Sequence, residues 1–271
     1  MPRGSAVLAA HPDDEVVGAA VLLSRSPGCH IVYTTDGVPR DTRLWPHPFS
    51  SAGDYARLRR AEAEAALALV GIDGRSIHRL GAVDQESVRE AARLARDLTE
   101  LLVGLRPPVL VLQPYEGGHP DHDAAALVGR AAAALVARRG IEPPVLWEMS
   151  SYHARDGTMT VGCFLPPRAA EVELAPSPEE RALKVRMLAL HGSQAQTLAA
   201  FGPGPEVFRR APPADFARPP HPGQLHFERM GWMQGADFRS LAAAALGELG
   251  LPLLLESGGG PTPPPASGER P

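Results

Sequence analysis

Two stretches of this chain run in the same order, from an apolar strand-like segment through His-Pro-Asp into a helix-like segment. The first is AVLAAHPDDEVVGAA (6–20) and the second, about a hundred residues on, is PVLVLQPYEGGHPDHDAAA (108–126). Recurring strand-to-helix junctions are what a parallel sheet requires, because parallel strands are joined only by long crossovers, usually helical. The residues between them agree. HIVYTTDG (30–37) and RSIHRL (75–80) read as strands, while DYARLRRAEAEAALALVGI (54–72), ESVREAARLARDLTELLVGL (86–105) and DHDAAALVGRAAAALVARRG (121–140) read as helices. Asp54 is the expected N-cap of the first of these helices and Gly71 its C-cap. The expected architecture is α/β: a Rossmann-like, mostly parallel sheet flanked by helices on both faces, with function gathered at the carboxyl ends of the strands.

Beyond residue 141 the pattern thins. PVLWEMSSYH and TMTVGCFL read as strands, and SPEERALKVRMLALHGS as a helix capped by Ser177 with Glu180 three positions on. Residues 201–223 read as irregular, and ADFRSLAAAALGELG as a last helix. No Pro/Gly/Ser-rich linker interrupts the chain before SGGGPTPPPASGERP, so one domain is expected over 1–256, with a disordered tail over 257–271. A net charge of -4 supplies no basic stripe for nucleic acid. Cys29 and Cys163 form no CxxC and are too few for a disulfide framework, which suits a reduced, cytoplasmic protein. No segment nears the ~20 apolar residues of a membrane helix, so no membrane partner is expected; a homo-oligomer is compatible with everything above.

The three adjacent acids Asp13, Asp14 and Glu15 repel one another between two apolar segments, and a nearby cation would relieve them. Acids at the start of a helix also serve as simple caps, and His11 as a partner for a backbone carbonyl. A second His-Pro-Asp at a second junction, His119-Pro120-Asp121-His122, is harder to explain by capping. Two neutral imidazoles and one carboxylate make a three-ligand face with open positions, the arrangement of catalytic Zn2+, and the same set suits Fe2+.

Strand-HPDDE-helix followed by GGHPDH-helix resembles the PIG-L/LmbE family of zinc-dependent N-deacetylases. The likeness is dense over residues 5–130, including YTTDG, RRAEAEAALALVGI and GAVDQE, and weak after about 165. It implies His11, Asp14 and His122 as metal ligands and Asp13 as the general base. It implies His119 as the group that stabilises the oxyanion or protonates the leaving amine, and Asp121 as the partner that orients a neighbouring histidine. Arg59, in R-x-x-E with Glu62, resembles a substrate-contacting position, and Asp84 a partner for sugar hydroxyls; an ion pair and a loop turn are the plain alternatives. The loop 38–53, with Arg40, Arg43, Trp45 and His47, could close over a substrate, Trp45 stacking on a sugar ring. Glu15 is given no chemistry, Tyr115 reads as packing, and His153 as structural or at the substrate rim.

The resemblance therefore implies hydrolysis of an N-acyl group on an amino sugar of the N-acetylglucosamine type. The rivals are an amidase for a larger amide, such as a thiol-sugar conjugate, and a non-catalytic nucleotide- or metal-binding protein. Three acids in place of G-x-G-x-x-G speak against a nucleotide's pyrophosphate.

Overall fold

A computed structural model of the chain describes residues 1–46, 49–155, 157–165 and 170–256. In chain order its elements are β1 (Ala6–Ala9), α1 (Asp14–Ser24), β2 (His30–Pro39), α2 (Ala52–Ala68), β3 (Ile77–Asp84), α3 (Ala91–Leu105), β4 (Val109–Leu112) and α4 (Pro120–Arg138). Then come β5 (Val145–Met149), β6 (Tyr152–Arg155), β7 (Thr158–Val161), β8 (Glu171–Leu174), α5 (Pro178–Ala189), α6 (Ala195–Leu198), β9 (Glu206–Arg210), β10 (Ala214–Asp215), α7 (His226–Arg229), α8 (Gly235–Glu248) and β11 (Leu254–Leu255).

Seven strands form the central sheet in the order β3-β2-β1-β4-β5-β9-β8. The first five run parallel, and β9 and β8 are antiparallel additions at one edge. The expected mostly parallel α/β sheet is therefore what forms. Strand periodicity divides its two faces. Leu8, Val32, Leu110 and Leu112 pack with α3, α4 and α8, while Val7, Ile31, Tyr33 and Val111 look to the opposite side with α1 and α2.

The order of strands decides where the two motifs meet. From β1 the chain steps outward to β2 and β3, then returns to place β4 on the other side of β1. This reversal opens a crevice at the carboxyl ends of β1 and β4, where an α/β sheet binds its ligands. His11 follows β1 and His119 follows β4, so motifs a hundred residues apart share that crevice.

Local details differ from the sequence reading. The N-cap of α2 is Ser51, whose Oγ accepts the amide of Asp54, so Asp54 belongs to the first turn instead. Ser177 and Glu180 do form the expected capping box on α5. Residues 206–210, within the stretch read as irregular, form β9, and EVEL (171–174) forms the edge strand β8. PVLWEMSSYH is two strands, since the chain leaves the main sheet after Met149 and pairs Tyr152–Arg155 with β7. His47 and the tail 257–271 lie outside the described residues.

Gly118 explains one part of the second motif. A Cβ there would fall inside the van der Waals shell of the Tyr152 carbonyl oxygen, a backbone atom unable to swing aside. Gly118→Ala should therefore destabilise the fold by about 1–3 kcal/mol through overpacking. A chemical denaturation midpoint equal to that of the unsubstituted protein would show that the two segments do not meet so closely.

Candidate metal centre and active site

The two motifs reach the crevice with different local geometry. In the first, helix α1 begins only at Asp14, with Asp13 as N-cap and Pro12 ahead of it, outside the first turn. The His11 amide donates to Asp14 Oδ2 at 2.7 Å, which folds residues i and i+3 onto one point. In the second, Pro120 is the first helical residue, where a missing N–H goes unnoticed, and His119 is the N-cap. His119 Nδ1 accepts the Asp121 amide at 3.1 Å, which leaves Nε2 to carry the ring proton when the imidazole is neutral.

The three adjacent acids are each relieved differently. Asp13 Oδ2 accepts from the Arg59 guanidinium at 2.9 Å. Asp14 lies between two imidazoles, Oδ2 3.2 Å from His11 Nδ1 and Oδ1 3.2 Å from His122 Nε2. Burial opposes ionisation of Asp14, but His122 and His11 outweigh it and hold its carboxyl well below the usual carboxylate range. Glu15 is fully buried near Tyr33, and burial pushes it up to about 8, so it stays neutral at pH 7.

Asp121 acts across motifs. Fully buried, it takes hydrogen bonds from the amides of Gln85 (2.5 Å) and Ser87 (3.1 Å) and from the Ser87 hydroxyl. Its Oδ2 lies 3.2 Å from Nε2 of His11 and only 3.9 Å from Nδ1 of His119. It therefore orients the histidine of the first motif and turns that ring's Nδ1 towards Asp14. Asp84, at the end of β3, has Oδ1 3.2 Å from His11 Nε2 and 4.0 Å from His119 Nε2. It thus joins the histidine cluster, where the sequence assigned it to sugar hydroxyls. Burial works against the His11 cation, yet Asp84, Asp121 and Asp14 together raise its pKa well above the ordinary value. His119 goes the other way, lowered well below the ordinary value by burial and by His11.

The donor set fits a divalent metal ion. His11, His119 and His122 offer nitrogens that all lie within 4.8 Å of one another, and so do the ligand atoms of His11, Asp84, His119 and Asp121. Asp14 belongs to neither set, but its two oxygens lie 3.2 Å from His11 Nδ1 and 3.2 Å from His122 Nε2, between the two rings. The Ser151 hydroxyl lies 3.3 Å from His122 Nδ1, a partner of the kind that aims the other nitrogen of a metal-bound histidine.

Arg59 is not free to hold a substrate. It is 3% exposed, bonded to Asp13 and to the carbonyls of Gly37 (2.7 Å) and Pro12 (3.3 Å). Nor does it pair with Glu62, which accepts from the amide and hydroxyl of Ser193. Removing one member of a buried ion pair strands the other, so Arg59→Met should destabilise the protein by about 3–5 kcal/mol. Urea midpoints decide this, and an unchanged midpoint would mean that the pair is not formed.

A cavity of about 220 Å³ opens over this floor. His11, Asp13, Asp14, Arg59, Asp84, His119 and His122 line it. Trp45 does not: its indole donates to the Pro39 carbonyl at 2.9 Å and its ring packs edge-on to Tyr55, which lines the cavity in its place. Arg40 and Arg43 lie outside as well, paired with Glu86 and Asp41. Tyr115 packs on Phe216, and His153 is buried 4.0 Å from the Cys163 sulfur. No motif pointed to Trp232, whose ring lies 4.6 Å from that of His119, nor to Tyr152, 5.2 Å from His122, nor to Phe201 beside it. All three belong to segments without a motif.

Comparison with known proteins agrees with this geometry. Residues 6–133 match the family model described as PIG-L, GlcNAc-PI de-N-acetylase. A 1D-myo-inositol 2-acetamido-2-deoxy-alpha-D-glucopyranoside deacetylase of Nocardioides sp. (strain ATCC BAA-499 / JS614) is 32% identical over 162 residues, which are 47% of this chain and 53% of that protein. The chain thus spans about half the length of this curated relative. Among solved structures, the A40926 pseudoaglycone deacetylase superposes with a TM-score of 0.55 at 18% identity, covering 77% of this chain and 98% of that one. The N,N'-diacetylchitobiose deacetylase of Pyrococcus horikoshii gives 0.52 at 20% identity, covering 76% and 83%. These last two likenesses are of fold. Among the described residues no helix is long and apolar enough to cross a membrane.

Proposed function

We propose, from the match of residues 6–133 to the PIG-L family model, that this protein is a metal-dependent hydrolase that removes an N-acyl group, N-acetyl in the first instance, from an amino sugar. The products are a free amine and a carboxylate. The observation that carries the reading is Asp13, beside but outside the His11–Asp14–His122 cluster, with His119 also facing the same cavity. Holding a metal does not require Asp13, which belongs to neither set of converging ligand atoms; hydrolysing an amide uses it.

In this reading His11, Asp14 and His122 hold the ion, Zn2+ or Fe2+, with Asp121 and Ser151 fixing the two rings. Such an ion supplies Lewis acidity, lowering the pKa of a bound water towards ~7 and polarising the amide carbonyl. Asp13 takes the proton from the attacking water, and Arg59, by engaging Oδ2, holds that carboxylate in place. His119 remains neutral and donates from Nε2 to the oxygen that gains charge as the carbonyl carbon becomes tetrahedral. The proton gathered by Asp13 then passes to the nitrogen as the C–N bond breaks. Asp84 holds His11 from the side opposite Asp14. Amine release from a panel of N-acetyl sugars, with Zn2+ or Fe2+ supplied to protein purified free of both, tests the reading. Release from none of them would refute it.

A further inference from the structure

The upper walls of the cavity differ from its floor. The floor comes from the part of the chain that matches the family, whereas the walls come largely from beyond it: Tyr152 on β6, Leu198 and Phe201 around the end of α6, and Trp232 after α7. Tyr152, Phe201 and Trp232 are half-buried, and Leu44 faces them from the loop after β2. Phe201 lies 5.8 Å from Tyr152, so apolar rings stand next to the two histidines of the second motif.

The charge in this cavity has one sign to spare. Arg59 is the only arginine or lysine among the described residues that line it, and its guanidinium is taken by Asp13 and two carbonyls. Phosphate is ordinarily held by arginine, lysine or a helix amino terminus. Here the first turns of α1 and α4 both carry acids, Asp14 and Glu15 after the N-cap Asp13 in one case and Asp121 and Asp123 in the other. Three carboxylates, Asp13, Asp14 and Asp84, line the same cavity, with Asp121 buried beside His11.

Building on the deacetylase reading, we propose that the substrate is an uncharged N-acyl amino sugar whose aglycone is aromatic or otherwise apolar, held by Trp232, Phe201 and Tyr152, and that phosphate-bearing sugars are rejected. A ring entering this wall leaves water and meets aromatic edges and faces at contact distance, whereas a phosphate near the floor would meet carboxylates and no free arginine or lysine.

Three glycosides of one sugar test the proposal: methyl N-acetylglucosaminide, phenyl N-acetylglucosaminide and N-acetylglucosamine 1-phosphate, assayed with the full chain and supplied Zn2+. The phenyl glycoside is expected to exceed the methyl glycoside roughly tenfold in kcat/KM, chiefly through KM, and the 1-phosphate to fall at least about tenfold below it. Trp232→Ala and Phe201→Ala should each pull the phenyl-to-methyl ratio towards one. Because Trp232 touches His119, the ratio is the quantity to read, and calorimetric binding of phenyl glucosaminide should follow the same order without turnover. Equal turnover of the 1-phosphate, or a phenyl preference that survives both substitutions, would overturn the proposal and leave the deacetylase reading standing. Amine release from none of the three, with Zn2+ or Fe2+, would instead remove the reading on which the proposal rests.

Discussion

Asp13→Asn is expected to keep its metal and its fold while losing between about 10² and 10⁴ of kcat/KM, the range that a positioned general base contributes. The substitution separates chemistry from structure because asparagine retains an oxygen that can accept from Arg59, so the guanidinium that meets Oδ2 at 2.9 Å is not left stranded. What asparagine lacks is the capacity to take a proton from water. KM should change little, since in the proposed reading Asp13 acts on the attacking water and not on the resting substrate, and a loss carried by kcat is the signature of an interaction made in the transition state. Metal content measured on the same preparation is the control. If Asp13→Asn loses metal as readily as His11→Ala, Asp13 is a ligand and the division of roles fails; if it retains full turnover, the base lies elsewhere.

The sequence made the floor of this site legible and its walls illegible, for a physical reason. The floor residues sit at strand-to-helix junctions, where backbone direction is set by local pattern, and the strand order then brings two junctions together at the reversal between β1 and β4. His11, Asp13, Asp14, His119, Asp121 and His122 could therefore all be named from residues alone or from the family's motif. Their partners were harder. That Asp121 turns towards His11 and not His119, or that Arg59 passes over Glu62 to reach Asp13, depends on side-chain directions across elements far apart in sequence. Helical spacing from Arg59 to Glu62 offered an ion pair that tertiary contacts overrode.

The second half of the chain was read less well because its elements carry weaker periodicity. β9 has only five residues, EVFRR, flanked by proline and glycine, and its pairing with β5 and β8 is long-range and antiparallel. Trp45 illustrates the opposite error: an aromatic residue in a long loop near the site suggested a lid, yet its indole is engaged by the Pro39 carbonyl, and Trp232, some 190 residues later, has the place beside His119.

His122→Ala should remove the metal itself. With two of three protein ligands left, affinity should fall by more than the 10–100-fold typical of losing only a partner that orients a ligand, and activity should fall with it at any metal concentration short of excess. Ser151→Ala provides the graded comparison: its hydroxyl lies 3.3 Å from His122 Nδ1 and touches no metal in this scheme, so its loss should stay within that 10–100-fold range. The pair of variants also distinguishes two ways of assembling the centre. Four ligand atoms from His11, Asp84, His119 and Asp121 lie as close together as the three histidine nitrogens do. If the ion belonged to the set with Asp84 and Asp121, His122→Ala would retain full occupancy by metal analysis while Asp84→Asn emptied the site. If it belongs to His11, Asp14 and His122, Asp84→Asn should keep the metal, and titrating the chelator needed to strip each protein would place His122→Ala first, with Ser151→Ala and Asp84→Asn, each the loss of a partner to one ligand histidine, between it and the unsubstituted chain.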